Sequence, residues 1–183
     1  LREWYFCKRE WDKQGNYSGR MGKEIRTVIN YVKGDLFEYI KAKTTPIMIA
    51  HVCNNQGAWG AGFVVPLGNV FPKAREIYSK NIKLLKLGAT QFVDVQLSPK
   101  IVVANMVSQT LGGKRPLRYD CLVRCLTLVE FQCAALTSEC SQEVELVCPK
   151  FGSGLAGGNW EFIKELIEDC WVRQGISVTI CEL

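Results

Sequence analysis

Pro46-Ile-Met-Ile-Ala-His-Val-Cys53 is a continuous apolar run of strand length, interrupted by one histidine, and it empties into Asn54-Asn-Gln-Gly-Ala-Trp-Gly-Ala-Gly62. A run without polar alternation belongs to a strand covered on both faces, as in the interior of a parallel sheet. The same strand-then-glycine pattern returns near the far end. Val144 to Cys148 reads as a strand ending at Pro149, and Phe151-Gly-Ser-Gly-Leu-Ala-Gly-Gly158 leads into a helix from about Trp160 to Gln174. Gly175 stops that helix, and Ile176 to Leu183 supplies a last strand. Between the two loops, Phe71 to Tyr78 looks helical with Pro72 in its first turn. Thr90 to Val95 and Lys100 to Val107, separated by Ser98-Pro99, suggest a hairpin. Tyr119 to Leu136 places Leu122, Cys125, Leu126, Val129 and Cys133 at helical spacing. Upstream, Thr27 to Val32 is a β-branched strand closed by Gly34-Asp35. Strands alternating with helices predict an α/β chain folded as a three-layer α/β/α sandwich.

The 183 residues carry a net charge of +5, from 23 Lys and Arg against 18 Asp and Glu. Residues 1–26 hold seven basic and four acidic residues, so that segment supplies +3 and leaves the body at +2. A body so close to neutral is poor support for nucleic-acid binding, which needs a clustered basic face. Hydrophobic residues at 48 % and charged ones at 22 % exclude an intrinsically disordered chain. The cysteine count is nine, an odd number, with no Cys-x-x-Cys pair and no Cys/His cluster at zinc spacing. No metal site is therefore expected, and the chain reads as intracellular, in a reducing compartment. No run of about 18 apolar residues stands ready to span a membrane. Leu1 to Arg9 is charged and aromatic rather than signal-like and does not begin with Met, as a mature or trimmed end would.

Both glycine-rich loops follow apolar strands, and open α/β sheets bind ligands beyond the carboxyl ends of their strands. Glycine lets a backbone come close to a ligand and aim successive N–H groups at it. In the second loop those amides run toward a helix N-terminus, which favours an anion such as a diphosphate. Neither loop is a Walker A motif, because no Gly-Lys-Ser/Thr follows.

Tyr31-Val-Lys-Gly-Asp-Leu36, Ile49-Ala-His-Val-Cys-Asn-Asn-Gln-Gly-Ala-Trp-Gly-Ala-Gly62 and Pro149-Lys-Phe-Gly-Ser-Gly-Leu-Ala-Gly-Gly-Asn-Trp160 together resemble a macro domain. Within that family they are most similar to the branch of ADP-ribose-1″-phosphate phosphatases and terminal ADP-ribose glycohydrolases. The resemblance covers about residues 26–183 and leaves residues 1–25 as a basic aromatic N-terminal extension. It implies a mixed central β-sheet with ADP-ribose, or ADP-ribose-1″-phosphate, in a cleft across the strand ends, and it implies no cofactor. Asp35 matches an aspartate that accepts from the adenine amino group, with Leu36 in the same turn. Asn54 and Asn55 match the loop at the distal ribose. Gly60, Ala61, Gly62 and Phe63 would hold the diphosphate from one side, and Gly152, Ser153, Gly154, Leu155 and Ala156 from the other. His51 and Asn54 are the catalytic candidates, since a histidine at the first position is assigned to the terminal phosphate in the phosphatase branch.

Plainer readings stand beside these. Asp35 is equally a helix cap, and Asn54 and Asn55 are equally turn residues. Trp59 and Phe63 fit an ordinary aromatic core, and a lone histidine on an apolar strand fits a satisfied core residue. The glycohydrolase branch uses a lysine after the fourth strand and an aspartate in the second loop. Here Asn105-Met-Val-Ser-Gln-Thr110 has no lysine before Lys114, and Leu155-Ala-Gly-Gly158 has no aspartate. What remains is a hydrolase of the phosphatase type, a non-catalytic reader of ADP-ribose on proteins, or a structural subunit that kept the fold. Trp4, Tyr5, Phe6, Trp11 and Tyr17 suggest that the extension docks on its own domain or on another macromolecule.

Overall fold

The computed structural model describes residues 28–183; the extension at residues 1–25 lies outside them. In chain order the elements are β1 (Asn30–Lys33), α1 (Leu36–Lys41), β2 (Ile47–Asn54), α2 (Val64–Val70), α3 (Pro72–Asn81), β3 (Thr90–Leu97), β4 (Lys100–Gln109), α4 (Tyr119–Cys140), β5 (Glu145–Pro149), α5 (Trp160–Cys170) and β6 (Ser177–Glu182). The sheet order is β1-β6-β5-β2-β4-β3. All pairings are parallel except β3 with β4, so the sheet is mixed. β2 sits between β4 and β5, which explains its unbroken apolar run.

Side-chain alternation sorts the core into two halves. Ile47, Ile49 and Cys53 of β2, with Val103 of β4, meet α1, α2 and α3 through Phe37, Leu67 and Tyr78. Met48 and Ala50, with Val102 and Ala104, meet α4 and α5 through Leu122, Leu126, Ile163 and Ile167. These are the three layers expected. By length and composition α4 is apolar enough to cross a membrane, but here its apolar stripe is buried in the second half-core.

Several boundaries differ from the pattern reading. The first described strand begins at Asn30 rather than Thr27, and α4 runs on to Cys140. The last helix ends at Cys170 and passes into a 3-10 turn over Val172–Gln174. α2 was not anticipated, because Val64-Val-Pro-Leu-Gly-Asn-Val70 contains both Pro and Gly. Its Pro66 lies in the first turn, where a missing N–H costs nothing. Gly68 is where the buried Trp59 ring rests: a Cβ there would meet the indole Nε1 at 2.7 Å.

Candidate functional site

The pairing of β2 with β4 shifts register between Cys53 and Asn54, and the chain leaves the sheet there. Asn54 is 5 % exposed and organises the loop that follows. Its Oδ1 accepts from the amides of Gln56 at 2.9 Å and Ala58 at 3.1 Å, and its Nδ2 donates to the Ala58 carbonyl at 2.7 Å. The Tyr78 hydroxyl of α3 donates to the Asn54 carbonyl. Beyond this staple, the amides of Gly60, Ala61, Gly62, Phe63 and Val64 meet no acceptor among the described residues. Gly62 takes φ +72°, a conformation that favours glycine.

The second loop shows the same division of labour. The amides of Gly157 and Gly158 close it by donating to the Gly154 and Gly152 carbonyls at 2.9 and 2.8 Å. Those from Gly152 to Ala156 meet no acceptor among the described residues. Gly158 has no room for a side chain, since a Cβ would meet Leu117 Cδ2 at 2.5 Å and the Gly152 carbonyl at 2.7 Å. The helix behind this loop does not work as expected. Asn159 caps α5 by accepting from the Glu161 amide at 3.0 Å, and no α5 residue lines the cavity between the loops. Free loop amides, rather than the α5 terminus, make that cavity suited to an anion.

The cavity measures about 590 Å³. Its walls are the two glycine loops, Gly60–Val64 and Gly152–Ala156 without Ser153, and a third segment that includes Gln109–Gly113 and Pro116. The third wall was missed by the motif reading; the Gly112-Gly113 pair after a buried strand was the available signal. It is tied down by Thr110 N to the Pro116 carbonyl at 3.0 Å and Leu117 N to the Ala156 carbonyl at 3.1 Å. An adjoining cavity of about 520 Å³ shares Gly62, Phe63, Pro149 and Lys150, and it contains Asp35 and Leu36. The two form one elongated cleft. Asp35 also caps α1, its Oδ1 accepting from Phe37 N at 2.7 Å and Glu38 N at 3.0 Å. Phe63 stacks on Phe37 with ring centroids 5.6 Å apart and lines both halves. Asn55 and Ser153 line neither half.

Most hydrogen-bonding side chains on the larger cavity are already engaged. Asn54 serves its own loop, Thr110 Oγ1 donates to the Pro116 carbonyl at 3.4 Å, and Lys150 pairs with Glu182 at 3.3 Å. Gln109 differs: its Oε1 is buried with no partner among the described residues. Its backbone sits where the walls meet, its carbonyl accepting from Asn55 N at 3.2 Å.

His51 is 1 % exposed at the cleft floor. Gln91 Nε2 donates to the Ile77 carbonyl at 3.2 Å, so Gln91 Oε1 is left to accept from Asn105 Nδ2 at 3.1 Å. Asn105 Oδ1 must then accept from His51 Nε2–H, 2.7 Å away. The ring is thereby held in one tautomer, with Nδ1 unprotonated 3.7 Å from Cys53 Sγ. Burial drives its pKa down to about 4, against the opposing hydrogen bond to Asn105, so the imidazole is neutral at ordinary pH.

No protein-family model matches the chain. A macrodomain protein from Streptomyces coelicolor is 34 % identical, with TM-score 0.69 over 85 % of this chain and 99 % of that one. This chain belongs to the macrodomain family. A protein of unknown function from Bacteroides thetaiotaomicron is 33 % identical, with TM-score 0.74 over 85 % of this macrodomain and 98 % of that chain. An ADP-ribose 1″-phosphate phosphatase from Candida albicans is 25 % identical over 148 residues, 78 % of this macrodomain and 93 % of that relative. Among the described residues of the macrodomain, no three His, Cys, Asp or Glu side chains come together as a metal site.

Proposed function

We propose that this macrodomain binds ADP-ribose along the two-part cleft and hydrolyses the phosphate ester of ADP-ribose 1″-phosphate. The observation that carries the reading is the pair of facing loops whose amides have no acceptor among the described residues. Backbone N–H groups aimed into a cleft bind a diphosphate without any lysine. The adenosine half lies against Asp35, Leu36 and Phe63, the diphosphate between Gly60–Gly62 and Gly152–Ala156, and the distal group toward Gln109 and Gly112. Water attacks the terminal phosphorus as the bond to the anomeric oxygen breaks, and the loop amides stabilise the charge that develops. His51 and Asn54 act here as supports of the floor and the first loop, because their polar groups are committed inside the chain. The Candida albicans relative's name supports the phosphatase chemistry.

That commitment also favours a second reading, a non-catalytic reader of ADP-ribosylated protein. Calorimetric titration with ADP-ribose tests the binding both readings share, and no heat at millimolar ligand would remove both. Phosphate release from ADP-ribose 1″-phosphate then separates them: turnover supports the hydrolase, and binding without turnover supports the reader. The free thiols of the eight described cysteines are consistent with a reducing intracellular compartment. The aromatic residues of the extension are assigned a docking role, on this domain or another macromolecule.

A further inference from the structure

Six cations, Lys83, Lys86, Lys114, Arg115, Arg118 and Arg124, are exposed, and none of them forms an ion pair among the described residues. They belong to three short segments that the sheet topology brings together. β4 ends at Gln109, and β3, antiparallel to it, starts from the same edge of the sheet at Thr90. The segment before β3, the loop after β4 and the first turns of α4 therefore share the end of the sheet that holds the cleft. Specific contacts tie them. Gly88 N donates to the Val107 carbonyl at 2.8 Å, and Arg118 N donates to the Ser108 carbonyl at 2.8 Å. A Cβ on Gly88 would meet Arg124 Cδ at 3.0 Å, and one on Gly157 would meet the Lys114 carbonyl at 2.8 Å. Asp120 is the one carboxylate within residues 83–89 and 114–124. The acids collect elsewhere, with Glu161, Glu165, Glu168 and Asp169 all on α5. A body of nearly zero net charge thus gathers six cations on segments that meet at one end of the sheet, a placement that composition cannot reveal.

We propose that this corner docks the phosphate backbone of a nucleic acid beside the distal mouth of the cleft. Clustered cations without carboxylate partners repel one another and gain by meeting a polyanion. Three of the six are arginines, whose planar forks match phosphate oxygens. None of the six lines either half of the cleft, and all stand exposed on loops and a helix start, so a phosphate chain, which needs only surface charge, fits better than an acidic peptide. This inference does not depend on the ADP-ribose reading.

Fluorescence anisotropy of a labelled 20-nucleotide single strand against the whole chain, at 50 and 200 mM salt, tests it. The wild type is expected to bind at the lower salt and weaken steeply at the higher. Lys114→Glu/Arg118→Glu/Arg124→Glu is expected to weaken binding at least tenfold and flatten the salt slope by about 2, while ADP-ribose titration and melting temperature stay unchanged. Should that variant fail to fold, Arg118→Gln/Arg124→Gln is expected to lose affinity about threefold, with a salt slope lower by about 1.5. No wild-type binding at 50 mM salt overturns the proposal. So does binding that survives the charge reversal, which would place it elsewhere, the basic residues 1–26 included. A polyglutamate peptide of equal charge that displaces the oligonucleotide more effectively than unlabelled strand also overturns it, in favour of an acidic protein partner.

Discussion

Gln109 closes β4 at the junction of three cleft walls with an amide oxygen that no described residue satisfies. A buried acceptor left empty costs on the order of 1–3 kcal/mol, a cost that a ligand hydroxyl would remove on binding. Gln109→Ala is therefore expected to weaken ADP-ribose about tenfold while leaving ADP, which lacks the distal ribose, unaffected by calorimetry. Equal losses for both ligands would make Gln109 a wall rather than a contact. His51 answers to a different measurement, because it is the single histidine of the chain. An unfolded histidine takes up its proton near 6.5 and the folded one at about 4, so the unfolded state binds more protons between those values. Stability is full above pH 6.5 and falls as pH drops toward 4, by about 3 kcal/mol in all. Urea unfolding across that window checks the slope, and imidazole NMR should show one Nε2–H tautomer unchanged at pH 6. A ring titrating near 6.5 would contradict the buried assignment. Sequence could mark His51 and Asn54 as polar residues at a strand end, but it could not show where their bonds go. Asn105 lies 54 residues from His51, and only folding brings the two together.

Among the elements, α1 and its cap show how one residue serves two ends. Asp35 Oδ1 is spent on the first turn of α1, while the residue also lines the half of the cleft assigned to adenosine. Asn caps a helix about as well as Asp, whereas Ala costs about 1 kcal/mol. Asp35→Asn is therefore expected to melt like the parent yet bind ADP-ribose about tenfold more weakly, because an amide replaces the carboxylate acceptor. Binding unchanged in Asp35→Asn would leave Asp35 with the capping role alone. Elements whose residues obey one rule were legible: the doubly buried β2, the hairpin of β3 and β4, and the stripe of α4. α2 was not, because Pro66 and Gly68 both read as helix breakers: Pro66 is tolerated locally in the first turn, while Gly68 answers to a tertiary need, the seat of Trp59. The third wall was hidden for a related reason. Its residues are held by Ala156 and Pro116 carbonyls rather than by any pattern along the chain.

At the scale of the molecule, the cleft is where the two half-cores and three loops are joined. Phe63 packs with the α1–α3 side, Phe151 and Ala156 with the α4–α5 side, and the glycine loops line the gap between. The order of strands and glycine loops was enough to read this layout, whereas charge placement was not, since composition sums over faces that only the fold separates. A ligand spanning both glycine loops bridges parts of the structure that otherwise meet mainly through the sheet, and it binds the folded chain alone. At a concentration 100 times its dissociation constant such a ligand adds about 2.7 kcal/mol. For a domain of this size each kcal/mol raises the midpoint by about 2–4 °C, so ADP-ribose is expected to lift melting by roughly 5–10 °C. Differential scanning fluorimetry with ADP-ribose, ADP and inorganic phosphate at matched concentrations checks this. ADP-ribose should give a larger shift than ADP at each concentration, and phosphate should give little. Gly158→Ala, which forces a Cβ against the Gly152 carbonyl and Leu117, should lower the midpoint and reduce the ADP-ribose shift together. A variant that melts lower but keeps the whole ligand shift would mean that the second loop supports the fold without holding the ligand.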